Sequence, residues 1–150
     1  DIDLVARTAK SMGAKMVAVH GETIVEPVEP GTNEAAVRSS SVDVLAHPGL
    51  ITLDEARLAA EHEVYLEVSA RKSHAYANGH VARVAKEGGA SMVLDSDAHE
   101  PGDLLTPEFR LRVAKGAGLD EDDIHALLQL NPRSLLKKLG FGPALSAQSE

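Results

Sequence analysis

Met92-Val93-Leu94-Asp95-Ser96-Asp97-Ala98-His99 is a short apolar run that ends in an Asp-x-His pair. Two earlier stretches end alike. Met16-Val17-Ala18-Val19 runs into His20, and Val42-Asp43-Val44-Leu45-Ala46 runs into His47. A fourth run, Val64-Tyr65-Leu66-Glu67-Val68, leads into Ser69, Arg71 and Lys72. Short β-branched runs bounded by turn formers read as strands. Helical segments separate them. Asn33 is placed to cap a short helix through Ser39, and Thr52 with Glu55 forms a capping-box signature for a helix reaching His62. A helix from Asn78 to Lys86 is closed by Gly88-Gly89. A helix over Asp3 to Met12 precedes the first strand. Helices over Leu104 to Gly116, over Glu121 to Leu130 and from Asn131-Pro132 to near Gly140 follow the last one, and the final ten residues read as a tail. Strand-helix alternation of this kind predicts an α/β fold with a parallel sheet under helical cover, either a small open sheet or part of a barrel. In both architectures ligands gather at the carboxyl ends of the strands. His20, His47, Asp97 and His99 all fall there.

Composition narrows the function classes. The chain has 150 residues, 43% hydrophobic and 25% charged, the size and balance of one globular domain. With two Phe, two Tyr and no Trp, the core must be built from Val, Leu, Ile and Ala. The net charge of -8 argues against a general electrostatic grip on nucleic acid. Cysteine is absent, so any metal must be held by nitrogen and oxygen. No apolar run approaches the roughly 20 residues that span a bilayer, and a cytoplasmic location is the expectation.

Each polar strand ending has a functional and a plain structural reading. Asp97 and His99 share a face if the chain continues extended beyond the strand, so both can reach one cavity; alternatively Asp97 caps a turn and His99 is solvated. In His47-Pro48-Gly49 the proline fixes the exit and the glycine permits a sharp turn, holding the histidine at the rim. Glu22, after His20-Gly21, is a ligand, a partner for His20 or a loop charge. Glu67 lies within a buried strand and needs a partner, for which Arg71 is the nearest cation. Arg71 and Lys72 equally suit phosphate oxygens. Ser69, His74 and Asn78 are weaker candidates on the same stretch, and His62, His80 and His125 fall within helices away from the strand ends. Motifs for phosphate-binding loops, dinucleotide binding and zinc proteases are absent.

Taken in order, Val19-His20-Gly21-Glu22, Leu45-Ala46-His47-Pro48-Gly49, Glu67-Val68-Ser69, Asp95-Ser96-Asp97-Ala98-His99 and Leu130-Asn131-Pro132-x-x-Leu135-Leu136 resemble the PHP (polymerase and histidinol phosphatase) superfamily. The resemblance implies a distorted seven-stranded (β/α) barrel, two or three divalent ions (zinc, manganese or iron), and hydrolysis of phosphoesters on a small phosphorylated substrate. It implies His20, His47, Asp97 and His99 as metal ligands, with Asp97 and His99 in the catalytic centre and Arg71 at the substrate phosphate. Residues 1–140 would form a partial barrel. Family members open with a His-x-His motif on the first strand, and nothing like it precedes His20, so the expectation is an N-terminally incomplete chain lacking about three strands. A second implication is a non-catalytic module with a degenerate metal site, since PHP-like domains also accompany polymerases and related folds serve RNA-processing assemblies. A third is a C–N hydrolase, because amidohydrolase barrels also use strand-end His and Asp.

Overall fold

The four apolar runs pair side by side in chain order. In the computed structural model, which describes residues 1–142, β1 (Ala18–His20), β2 (Val44–Ala46), β3 (Tyr65–Ser69) and β4 (Met92–Asp95) form one parallel sheet ordered β1-β2-β3-β4. The register sets Val19 beside Leu45, Leu66 beside Met92 and Val68 beside Leu94. Side chains alternate across a strand, so these residues share one face. Against it lies a layer of helices: α1 (Ile2–Ser11), α2 (Thr32–Arg38), α3 (Leu53–Glu61) and α4 (Asn78–Gly88). Their buried positions are mostly small, namely Ala6, Ala36, Ala56, Ala59, Ala82 and Ala85. Small residues let neighbouring helices approach closely, and a Cβ on Gly88 of α4 would lie 2.8 Å from the Ala56 Cβ of α3.

The opposite face divides into two halves. Toward the amino ends of the strands, Val44, Tyr65 and Val93 pack against Leu135 and Leu139, with Leu135 carried by α7 (Asn131–Lys138). Toward the carboxyl ends the same face is polar, with His20, Glu67, Ser69 and Asp95. The apolar half is sealed by a helix, and the polar half is the functional candidate.

Several local expectations hold. Thr52 and Glu55 form the capping box at the start of α3, and Gly89 closes α4 in the left-handed conformation. Others are corrected. Asn33 does not cap α2: that helix starts at Gly31 in the left-handed conformation without a side-chain cap. Instead Asn33 is buried and braces two loops, its Oδ1 accepting from the Glu22 N–H at 2.9 Å and its Nδ2 donating to the Pro48 carbonyl at 2.8 Å. α5 (Pro107–Gly116) starts three residues later than Leu104, capped by Thr106, after a 3₁₀ turn at Pro101–Asp103. Asn131-Pro132 does not begin a separate helix. The chain runs helically from α6 (Glu121–His125) through a π turn at Ala126–Leu130 into α7. Pro132 offers no N–H to the preceding turn, and the helix widens there instead of breaking. Asn131 uses its side chain to donate to the Met92 carbonyl at 2.7 Å. The expected tail lies mostly outside the described residues.

Candidate metal centre

Three histidines converge on the polar half of the open sheet face. His20 ends β1, His47 follows β2, and His74 opens a 3₁₀ turn after β3 (His74–Ala77). One nitrogen from each lies within 4.8 Å of the other two. The His47 and His74 rings stack at 4.0 Å between centroids, and His20 meets His47 edge-on at 4.4 Å. His47 and His74 are buried, and His20 is half exposed.

Each ring is held through one nitrogen while the other faces the group. The Glu67 Oε2 accepts from the His47 backbone N–H at 2.7 Å and lies 3.0 Å from His47 Nδ1. The partner of the buried Glu67 carboxylate is therefore His47, not Arg71. The arrangement assigns the Nδ1 proton and leaves a lone pair on Nε2, which is buried with no hydrogen-bond partner. A buried unpartnered acceptor aimed at two other imidazoles is the condition a cation relieves. The Thr23 hydroxyl holds His74 through Nδ1 at 2.8 Å, and the Gly21 carbonyl lies 3.0 Å from His20 Nδ1. With the Nδ1 atoms engaged, Nε2 is the candidate ligand atom of each ring: that of His47 has no partner, and those of His20 and His74 face carboxylates.

Carboxylates complete the surroundings. The Asp97 Oδ2 lies 3.6 Å from His74 Nε2. Glu26 spans two rings, with Oε2 at 3.2 Å from His20 Nε2 and Oε1 at 3.8 Å from His74 Nε2. Three imidazoles and two carboxylates are an N/O donor set that suits several divalent metals. Glu22 is not part of it, because its Oε1 accepts from the Asn33 N–H at 2.9 Å.

The charges respond accordingly. Burial opposes protonation of His47, but the Glu67 hydrogen bond and the negative charges of Glu67, Asp97 and Glu26 outweigh it and raise its pKa above 6.5. For His74, burial and then the neighbouring His47 charge outweigh Glu26, Asp97 and Glu67 and lower its pKa below 6.5.

The Asp97-x-His99 pair departs from the expected extended geometry. Asp97 has φ +48, and its N–H donates to the Asp95 carboxylate at 2.9 Å, so the chain turns sharply. Asp97 faces His74, whereas His99 is exposed and lies against the Arg71 guanidinium. Arg71 also donates to the Asp97 carbonyl at 3.0 Å and lies 3.4 Å from its carboxylate. The structure brings His20, His47, His74 and Asp97 together and sets His99 with Arg71 on the adjoining rim. His47, at φ +31, is a second non-glycine residue here in the left-handed region, a conformation that costs free energy and concentrates at functional sites.

In sequence His74 is a weak candidate, and Glu26 carries no motif that marks it as a ligand. Both lie on irregular segments, where no periodicity shows direction. The only signal was type: a histidine five residues past a strand end, and a carboxylate in a proline-rich loop after His20-Gly21. Two of the remaining histidines bond backbone carbonyls: His62, which caps α3, that of Val37 at 2.7 Å, and His80 in α4 that of Ile51 at 2.8 Å.

No family model matches the chain. It is 42% identical over 138 residues to an uncharacterized protein of Methanocaldococcus jannaschii, covering 92% of this chain and 63% of that protein. It is 30% identical over 138 residues to a probable phosphatase of Thermoanaerobacter, covering 81% of this chain and 56% of that protein. It is 28% identical over 135 residues to the ribonuclease P protein component 3 of Methanosarcina mazei, covering 80% of this chain and 56% of that protein. The chain therefore spans between 56% and 63% of the length of these relatives. The named relatives support the PHP-like relationship that the motifs suggest.

Proposed function

We propose that this chain is part of a PHP-superfamily phosphoesterase, and that its histidine trio holds a divalent metal ion used in hydrolysis. The observation that carries this reading is the buried, unpartnered His47 Nε2 within reach of a nitrogen of His20 and one of His74. The probable phosphatase from Thermoanaerobacter supports the choice of reaction. In the same reading, residues 1–140 are an arc of a (β/α) barrel, consistent with a parallel sheet whose strand order never reverses.

His20, His47, His74 and Asp97 would hold the ion, with Glu26 beside them and His99 available from the rim. A bound divalent ion, whether zinc, manganese or iron, supplies positive charge to phosphate oxygens and acidifies a water molecule. Glu67 keeps the proton on His47 Nδ1 and so keeps Nε2 a donor to the ion. Thr23 fixes the His74 ring through its Nδ1. Arg71, pinned by Asp97, presents a guanidinium at the rim that suits the phosphate of a small substrate.

The experiment measures bound zinc, manganese and iron, together with phosphate release from ribose 5-phosphate, for the chain and for its His47→Ala, His74→Ala and Asp97→Ala variants. The expected result is stoichiometric metal lost with either histidine, and release that follows metal content. Equal metal content in all four proteins would refute the site.

A second reading rests on the Methanosarcina relative, a ribonuclease P subunit: the chain is a non-catalytic component of a larger assembly. Metal bound tightly without any phosphate release would favour it.

A further inference from the structure

Ser69 and Asn78 are both buried, and two hydrogen bonds join them. Asn78 Oδ1 accepts from the Ser69 N–H at 2.9 Å, and Asn78 Nδ2 donates to the Ser69 carbonyl at 2.7 Å. One side-chain amide thus takes both backbone groups of one residue, the pairing that an adjacent strand would give. The reason lies in the sheet. Along a strand, N–H groups two residues apart point to the same edge. The Tyr65 N–H donates to the Asp43 carbonyl, on the β2 side, so Ser69, four residues on, points to that side too. There β2 ends at Ala46 and the chain turns away at His47, while β3 continues to Ser69. Asn78 takes the place of the strand that has left. Without it, two buried backbone groups would stand unpaired.

The same two bonds close the connection between β3 and α4, residues 70–77, which carries Arg71 and His74. Arg71 has an anchor of its own in Asp97. His74 reaches outward to Thr23 on another loop, and its own 3₁₀ turn, His74–Ala77, runs directly into Asn78. One short turn therefore carries the position of Asn78 to the ring that stacks on His47 at 4.0 Å. Asn78 does not serve its own helix, since α4 starts without a side-chain cap. We propose that Asn78 is a positioning residue for the ion site: by replacing β2 beside Ser69, it fixes His74 against His47 and within reach of His20. The proposal rests on the metal-centre reading for its functional sense, but the placement of the His74 ring can be measured without metal.

Proton NMR of the metal-free chain reports the stacking, because a ring proton over the face of another ring is shifted upfield. The His74 signal is identified by its loss in His74→Ala. Zinc affinity of the same proteins is measured by competition with a chromogenic chelator. Asn78→Ala is expected to move the His74 signal to the position of an unstacked imidazole and to weaken zinc binding at least about tenfold. In a His74→Ala background the same change should add less than about twofold, because the ring it positions is gone. Asp43→Ala, a destabilising change at the other end of the strands, is the control and should leave the signal in place. Asn78→Asp keeps the acceptor for the Ser69 N–H; it should give a smaller shift and a smaller loss, and it decides the matter if Asn78→Ala does not fold. An unmoved His74 signal, or a zinc loss of equal size with and without His74, would overturn the positioning role. An unmoved signal in a chain that binds zinc would reject that role and leave the metal site standing. A moved signal in a chain that binds no zinc would keep the placement of His74 by Asn78 and reject the metal site.

Discussion

Glu67 is a carboxylate on a fully buried strand, 2% exposed, and its placement is explained by His47. It accepts two hydrogen bonds from one residue and sets which ring nitrogen carries the proton. Replacing it by glutamine keeps an acceptor but removes the charge that makes Nε2 a stronger donor to an ion. Glu67→Gln is expected to weaken metal binding by about 10–100-fold, read by competition with a chromogenic chelator. Glu67→Ala also strands two buried N–H groups, at about 1–3 kcal/mol each, and should lower the urea midpoint as well. The opposite pKa shifts of the stacked pair give a second prediction. His47 in the fold holds its proton above 6.5, so its contribution is complete below 6.5 and is lost as pH rises through its folded pKa. His74 in the fold resists protonation, so its contribution is complete above 6.5 and is lost as pH falls from there through its folded pKa. Metal-free stability measured by urea unfolding across pH 5 to 8 should therefore peak near pH 6.5. His47→Gln should flatten the alkaline limb, and His74→Gln the acid limb.

Between elements, the site depends on loops that lock into one another. Gly49 adopts φ +60, and a Cβ there would lie 1.9 Å from the Glu22 carbonyl oxygen. The β1–α2 loop is thus seated on the turn after β2, and it carries Thr23 to His74. Gly49→Ala is expected to cost about 2–4 kcal/mol, from overpacking plus the left-handed backbone. Displacing Glu22 and Thr23 should weaken metal binding too, so the variant is read by both urea unfolding and metal titration. These loops also show where the sequence was legible. The capping box at Thr52 and the glycine closing α4 depend on partners one to four residues away, and local pattern sufficed. Asn33 has the right residue type for a cap, but its real partners, Glu22 and Pro48, lie 11 and 15 residues away in the chain. Asp97 looked like a continuation of β4, and only its bond to Asp95 turns it away from an extended path. His20 and His47 were legible because a strand end has a defined direction. His74 and Glu26 were not, because an irregular loop has none.

Across the whole molecule, one end of the parallel sheet carries chemistry and the other carries bracing. That polarity could be read from the apolar runs, because parallel strands deliver all their carboxyl ends to one rim. The bracing end was less visible. Asp43 reads in sequence as a polar interruption of an apolar run, yet it is buried just before β2. Its Oδ2 accepts from the Val17 N–H at 2.8 Å and from Lys10 Nζ at 2.6 Å, and its Oδ1 lies 4.0 Å from Lys138 Nζ. One carboxylate therefore joins α1, the approach to β1 and α7. Removing it leaves a buried N–H unpaired and strips two lysines of their counter-charge. Both lysine side chains are about 30% exposed, at 30% and 27%, so water recovers part of the loss. Asp43→Ala is therefore expected to cost about 2–3 kcal/mol, below the 3–5 of a fully buried pair. Because Asp43 lies at the opposite end of the strands from His20, His47 and His74, metal affinity of the folded protein should stay unchanged. A parallel fall in metal affinity, measured below the unfolding transition, would show that bracing and site are one cooperative unit and not two ends of a rigid sheet.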